Sequence, residues 1–129
     1  MVRTWLGRTC PPVAAFDDTD TDAPTAFGSA RARARGRFTR NFVVQGSAAD
    51  WTLLVLAGLR QAIHQAGLRA ELVFFQHDEV IVHCPESEAD TVARLITSAA
   101  DTAAHLAFGP TPVQFPFTTA IVECYADAK

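Results

Sequence analysis

Leu72-Val73-Phe74-Phe75-Gln76-His77-Asp78-Glu79-Val80-Ile81-Val82 reads as two β-rich runs joined by four polar residues. Apolar β-branched and aromatic runs on either side of a tight polar turn make a β-hairpin. Short hairpin turns favour Asn-Gly or Asp-Gly, because glycine takes positive φ cheaply. Gln76-His77-Asp78-Glu79 holds no glycine and two adjacent acids, so this tip is given over to charge. A hard divalent cation such as Mg²⁺ needs carboxylate oxygens on a rigid support. A tip backed by Leu72, Phe74, Val80 and Val82 provides one. The same four residues also suit a solvated acidic turn, and by themselves they leave both readings open.

Upstream of the hairpin, Ser47 followed three residues later by Asp50 fits a capping box. Trp51, Val55, Leu59, Ala62, Ile63 and Ala66 then recur at helical spacing, with Gly67 placed as the stop. This predicts a helix over about 47–66. The alternating Ala/Arg stretch from Ala30 to Asn41 favours another helix, softly broken at Gly36, and Phe42-Val43-Val44 reads as a short apolar link. Downstream, Pro85 and Glu86 open an amphipathic helix with Val92, Leu95, Ile96, Ala99 and Ala103 on one face. Val113 to Cys124 reads as a strand in which Pro116 favours a sheet edge. At the N-terminus, residues 2–8 suggest a short strand entering a turn at Gly7. Residues 9–30, with Pro11, Pro12, Pro24 and Gly28, read as a mobile surface loop. The expected fold is α+β, helices packed on an antiparallel sheet, with a strand and acidic loop over 1–30 and the main domain over 31–129.

Composition sets the limits. The 129 residues suffice for one domain with a core, and 49% apolar with 19% charged is ordinary for a globular chain. No run of the sequence approaches the roughly 20 consecutive apolar residues of a bilayer span. Met1-Val2-Arg3-Thr4-Trp5 lacks the apolar core of a secretory signal. The expected compartment is the cytoplasm, with no membrane partner. Cys10, Cys84 and Cys124 form no C-x-x-C pair, which indicates neither a zinc ribbon nor a disulfide framework, and they read as reduced, mostly buried thiols. Net charge is −3, which argues against a wholesale nucleic-acid binder, but the charge is segregated. Asp17, Asp18, Asp20 and Asp22 lie together with no basic residue; Arg31, Arg33, Arg35, Arg37 and Arg40 lie together with no acid. The aspartate run lacks the sharp-turn glycine and closing glutamate of a calcium loop. His64 and His83 have no ligand-spaced carboxylate or cysteine and are read as structural.

Four segments together resemble one family. Phe74-Phe75-Gln76-His77-Asp78-Glu79-Val80 resembles the His-Asp-Glu signature, motif C, of family A DNA polymerases, the bacterial polymerase I type. Asn41-Phe42-Val43-Val44-Gln45-Gly46-Ser47-Ala48-Ala49-Asp50 is similar to that family's Asn-x-Pro-x-Gln-Gly-Thr-Ala-Ala-Asp segment. Arg37, four residues before Asn41, stands where the family has an arginine. Thr4-Trp5-Leu6-Gly7-Arg8 resembles its Thr-x-x-Gly-Arg segment. The resemblance runs from about residue 2 to residue 124. Val43 departs from the family's proline, Ser47 from its threonine, and Gly36 from its frequent glutamate; the 9–30 loop matches poorly.

The resemblance implies the C-terminal part of a polymerase palm domain and the function of a DNA-directed DNA polymerase, a nucleotidyltransferase of DNA replication and repair. It assigns Asp78 as one of two palm aspartates that hold two Mg²⁺ ions. Glu79 becomes a neighbouring acid that tunes the site, and His77 lies near the primer terminus unless it serves only a turn hydrogen bond. Arg37, Asn41 and Gln45, spaced by four, carry over as primer–template contacts that meet minor-groove acceptors common to every base pair. Arg33 and Arg40, with Arg31 and Arg35, suit phosphate contacts or a solvated charged face.

The family's other aspartate belongs to motif A, an Asp-Tyr-Ser strand, and its nucleotide-binding fingers helix carries Arg, Lys and Tyr. Neither pattern occurs in this sequence. The expectation is therefore a partial two-metal site, inactive alone. Its implied partners are primer–template DNA, deoxynucleoside triphosphates and the missing N-terminal polymerase segments, at the nucleoid. The alternatives are a non-catalytic duplex-binding palm remnant or a degenerate truncated product. An apolar sheet edge and helix face left without the motif A strand are expected to be exposed.

Overall fold

The computed structural model describes residues 2–11 and 25–128, and of 25–31 the helical backbone alone. Helix α1 spans Thr25–Gln65, strand β1 Glu71–Gln76, strand β2 Glu79–His83 and helix α2 Ala89–Phe108, with 3₁₀ turns at Glu86–Glu88 and Tyr125–Asp127. The fold is α+β, with one two-stranded antiparallel sheet among the described residues. The chain divides into two compact units, Met1–Ala48 and Ala49–Lys129.

α1 corrects the expectation of two helices and a link. Its 41 residues run unbroken through Gly36 and through Phe42-Val43-Val44. A helical glycine costs only about 1 kcal/mol relative to alanine, and valine or phenylalanine less. Extending an existing helix adds a hydrogen bond per residue without a new nucleus, so these small penalties do not stop it. Ser47 is accordingly no N-cap. Its hydroxyl accepts the Trp5 N–H at 3.2 Å. The acidic run Asp17–Asp22 and residues 12–24 of the expected mobile loop lie outside the described residues, while residues 9–11 belong to an ordered N-terminal loop and residues 25–30 are helical.

In the first unit, residues 2–11 form a tight loop in place of the expected strand, with a single antiparallel bridge between Arg3 and Thr9. Thr4 N–H donates to Arg8 O (2.8 Å), Gly7 N–H to Thr4 O (3.1 Å) and Cys10 N–H to Val2 O (2.8 Å). Gly7 takes φ 95°, the region glycine enters without cost. Thr4 lies so close to α1 that a Cβ on Gly46 would fall 2.5 Å from its Cγ2. Glycine at 46 is thus a condition of this contact. Arg35 closes the loop, donating to Pro11 O at 2.6 Å and Cys10 Sγ at 3.5 Å.

In the second unit, Val55, Leu59 and Ile63 occupy one face of α1 and are buried with Ala70 and with Val92, Ala99, Ala100 and Ala103 of α2. The three larger side chains recur every four residues, as a helix burying one stripe requires. The alanines of α2 let the two helices approach closely. Trp51, Leu72, Val82, Leu95, Ile96 and Phe117 pack around this cluster. Thr52 is buried as well, while Ala66, expected on the stripe, is exposed. Ala66 falls where α1 ends: Gly67 at φ 64° donates to His64 O (3.1 Å), and Leu68 to Ile63 O (3.2 Å). That pair of bonds is a Schellman motif, and it turns Leu68 back onto the core. Glu88 then accepts the Arg69 N–H at 3.0 and 3.2 Å, tying the end of α1 to the start of α2.

Residues 113–124 form no strand. Pro116 lacks a ladder donor, and Phe115 and Phe117 alternate inward onto Trp51 at centroid distances of 5.4 and 5.9 Å. Phe115 also stacks on Phe108 at 5.0 Å. Aromatic packing does here what strand pairing was expected to do. Of the three cysteines, Cys10 is buried, Cys84 half-buried and Cys124 exposed, all free. Within Ala32–Gln65 of α1, a window of the helix is also long and apolar enough, by length and composition, to cross a membrane, with 17% of that window buried. Continuity through the apolar link creates this window, which the sequence read as separate pieces did not show. Replacing Leu59, 0% exposed, by alanine is expected to cost about 2–5 kcal/mol. Leu53→Ala, at an exposed position of the same helix, should cost less than about 0.5 kcal/mol; urea unfolding monitored by circular dichroism compares the two.

Candidate functional site

The ladder pairs Glu71 with His83, Leu72 with Val82, Phe74 with Ile81, Phe75 with Val80 and Gln76 with Glu79. His77-Asp78 is therefore a two-residue turn. His77 has φ 57° and is the one described non-glycine residue with positive φ. Positive φ at the first central position alone is the pattern of a type II′ turn, where glycine is normal. Histidine there stores strain of about 1–3 kcal/mol. Val73 is the extra residue of a bulge between Leu72 and Phe74; bulges sharpen strand twist and re-aim the side chains beyond them. Gln76, His77, Asp78 and Glu79 are all exposed, so the tip presents its two acids to solvent.

Tyr125 joins this tip, and the sequence reading did not find it. Its hydroxyl donates to Glu79 Oε2 at 2.8 Å, across 46 positions of chain. Its ring lies against Phe74, centroids 6.5 Å apart. The hydrogen bond to Glu79, then that carboxylate's negative charge, then desolvation hold the Tyr125 phenol above its ordinary value of 10.0. No spacing rule links a residue beyond Pro116 to a turn at 77–78; the one sequence signal was that Tyr125 is the single tyrosine.

The nucleic-acid candidates lie in the first unit, on α1. Arg33, Arg37, Arg40, Asn41 and Gln45 are all exposed. At about 100° per residue, Arg33, Arg37 and Arg40 fall within about 60° of one another, and Asn41 and Gln45 continue the stripe as it drifts round the helix. Arg35, Thr39, Val43, Gly46 and Ser47 are half-buried on another face, where Arg35, Gly46 and Ser47 meet the 2–11 loop. Arg35 thus differs from its cluster. Its guanidinium binds the loop through Nη2 and covers the Phe38 ring at 5.2 Å, which gives it a structural role. The Arg31 side chain lies outside the described residues. The tip acids belong to the second unit.

Asp78 and Glu79 are hard oxygen donors of the kind Mg²⁺ prefers. Among the described residues no group of three or more His, Cys, Asp or Glu side chains converges on a point where a metal ion could sit. Any cation at the tip would need donors beyond these two.

The profile of DNA polymerase family A matches residues 1–121. The chain belongs to DNA polymerase family A. Among curated family relatives, it is 38% identical over 71 residues to DNA polymerase I of Chloroflexus aurantiacus, covering 55% of this chain and 7% of that one. It is 28% identical over 74 residues to DNA polymerase I of Aquifex aeolicus, covering 57% and 13%. The DNA polymerase of Bacillus phage SP01 is 32% identical over 56 residues, covering 43% and 6%. The chain thus spans a small fraction of the length of the family A relatives it matches. No solved structure gives a significant match.

Two outcomes are expected at the tip. Absorbance titration of the single tyrosine should give an apparent pKa above 10.0, returning toward it in Glu79→Gln. Because the folded chain holds this proton more tightly than the unfolded one, the contact's stability is whole below the ordinary phenol pKa and is lost as pH rises through the raised value. Separately, His77→Gly should stabilise the chain by about 1 kcal/mol in thermal unfolding, relief of the turn strain less the larger unfolded entropy of glycine.

Proposed function

We propose that this chain is the C-terminal palm portion of a DNA-directed DNA polymerase and that it supplies part of a two-metal nucleotidyl-transfer site. The observation that carries this reading is the strained, exposed His77-Asp78-Glu79 turn within a stretch matched by the family A profile. Asp78 would hold Mg²⁺ with carboxylates from a segment outside this chain, and Glu79 would flank it. When bound, the ions supply activation of the primer 3′-hydroxyl and stabilisation of the leaving pyrophosphate. His77, held by the turn at positive φ, would sit beside the primer terminus.

The stripe from Arg33 to Gln45 supports the DNA-facing role. Twelve residues of helix rise about 18 Å, close to the length of five base pairs of duplex. Arg37, Asn41 and Gln45 would donate to minor-groove acceptors that every base pair presents, which tests duplex shape without reading sequence. Arg33 and Arg40 would contact phosphates. This stripe also favours a second reading, a duplex-binding palm remnant without catalysis, since it requires none of the tip acids. The low burial of the apolar α1 window and the exposure of Val73, Phe74 and Phe75 support partners for these surfaces in the remaining polymerase segments.

The purified chain should bind a primer–template duplex in fluorescence anisotropy. Two phosphate contacts predict roughly tenfold weaker binding on going from about 50 to about 200 mM salt. Combined Arg37→Ala, Asn41→Ala and Gln45→Ala should weaken binding by more than about tenfold. The same protein should not extend the primer. Salt-independent or absent binding would remove the DNA-facing role, and extension abolished by Asp78→Ala would show the site complete without further segments.

A further inference from the structure

Glu79 opens β2 and pairs with Gln76 across the turn, so the ladder holds its backbone. Its side chain is exposed, and an exposed glutamate ordinarily samples several rotamers. Here Oε2 accepts the Tyr125 hydroxyl at 2.8 Å. Tyr125 is itself constrained on two sides. Its ring rests on Phe74 of β1, and its backbone lies in a 3₁₀ turn in which Asp127 N–H donates to Cys124 O (3.0 Å) and Ala128 N–H to Tyr125 O (3.1 Å). A side chain with two torsions, braced at ring and backbone, meets an acid with three. In such a pair the tyrosine sets the position and the glutamate follows.

We propose that Tyr125 is a positioning residue for the hairpin tip, holding Glu79 in one rotamer with Oε2 engaged and Oε1 directed to a divalent cation or its water shell beside Asp78. The cation part rests on the reading of Asp78 as a ligand; the rotamer part stands on the contact alone. The consequence is that the C-terminal turn belongs to the candidate site, although it carries no ligand itself. A hydroxyl that engages one carboxylate oxygen fixes where the other can point, which is how supporting groups orient metal-binding acids.

Tyr125→Phe in the full chain removes the hydroxyl and keeps the ring on Phe74. With 5 glutamates in the sequence, glutamate-selective labelling isolates Glu79 by NMR. Without metal, Glu79 side-chain couplings should report one dominant rotamer in the parent chain and averaging in Tyr125→Phe. Titration with Mn²⁺ alone, followed by broadening of the Glu79 amide, should give a dissociation constant about tenfold higher in Tyr125→Phe and no binding in Asp78→Asn. Unchanged couplings in Tyr125→Phe overturn the inference and leave the reading of Asp78 intact. Equal Mn²⁺ affinity in parent and Tyr125→Phe, with binding lost in Asp78→Asn, overturns the cation part. Broadening that survives Asp78→Asn overturns the reading of Asp78 and the cation part with it, and broadening absent from the parent chain overturns the cation part alone.

Discussion

Burial of Val55, Leu59 and Ile63 along one stripe of α1 is the constraint around which the second unit is arranged. Three large side chains on one face demand a neighbour that comes close, and the small Ala99, Ala100 and Ala103 of α2 allow it. Close approach also brings the Trp51 indole N–H to Ala100 O at 3.3 Å, so the polar end of that ring is satisfied while its face receives Phe115 and Phe117. The Schellman turn at Gly67 reverses the chain at the end of this stripe and starts β1 with Leu72 against the core. The hairpin tip is thereby carried outward on a braced support.

A different use is made of the N-terminal half of α1. One face receives the 2–11 loop through Gly46, Ser47 and Arg35, and another leaves Arg33, Arg37, Arg40, Asn41 and Gln45 in solvent. The arginine run is therefore divided by helical phase. Arg35 points to the loop and becomes a clasp, while its neighbours two residues away on either side remain available to an anion. Segregation of charge in sequence becomes segregation by face only because the segment is one continuous helix.

Membership of family A and the small fraction of its relatives' length that the chain spans bear on the exposed apolar surface. A two-stranded sheet buries little by itself and keeps unpaired edges. Val73, Phe74 and Phe75 stand on such a sheet and remain partly exposed to solvent. The bulge falls at Val73 itself and the strained His77 follows β1 directly, so irregular backbone and exposed apolar side chains occur close together in the hairpin.

Much of this was legible in the sequence because it depends on local pattern. The Val55-Leu59-Ile63 stripe, Gly67 as a stop, the hairpin and the helix carrying Val92, Ala99 and Ala103 all follow from periodicity or a single residue's φ. The turn, however, tightens from the expected Gln76–Glu79 to His77-Asp78, and Pro85 opens a 3₁₀ turn ahead of α2. The motif segments identified the family for the same reason, as contiguous residues in order. What the sequence could not determine was anything decided by competition between distant groups. Ser47 has the side chain of an N-cap, but Trp5 takes its hydroxyl and the helix runs through. Residues 113–124 have the composition of a strand, but Trp51 and Phe108 hold Phe115 and Phe117 by their faces. Tyr125 reaches Glu79 because tertiary packing brings a C-terminal turn to a hairpin tip. Local energies of a few tenths to about 1 kcal/mol per residue decide elements when nothing opposes them; where a tertiary contact of similar size exists, only the folded chain decides which wins.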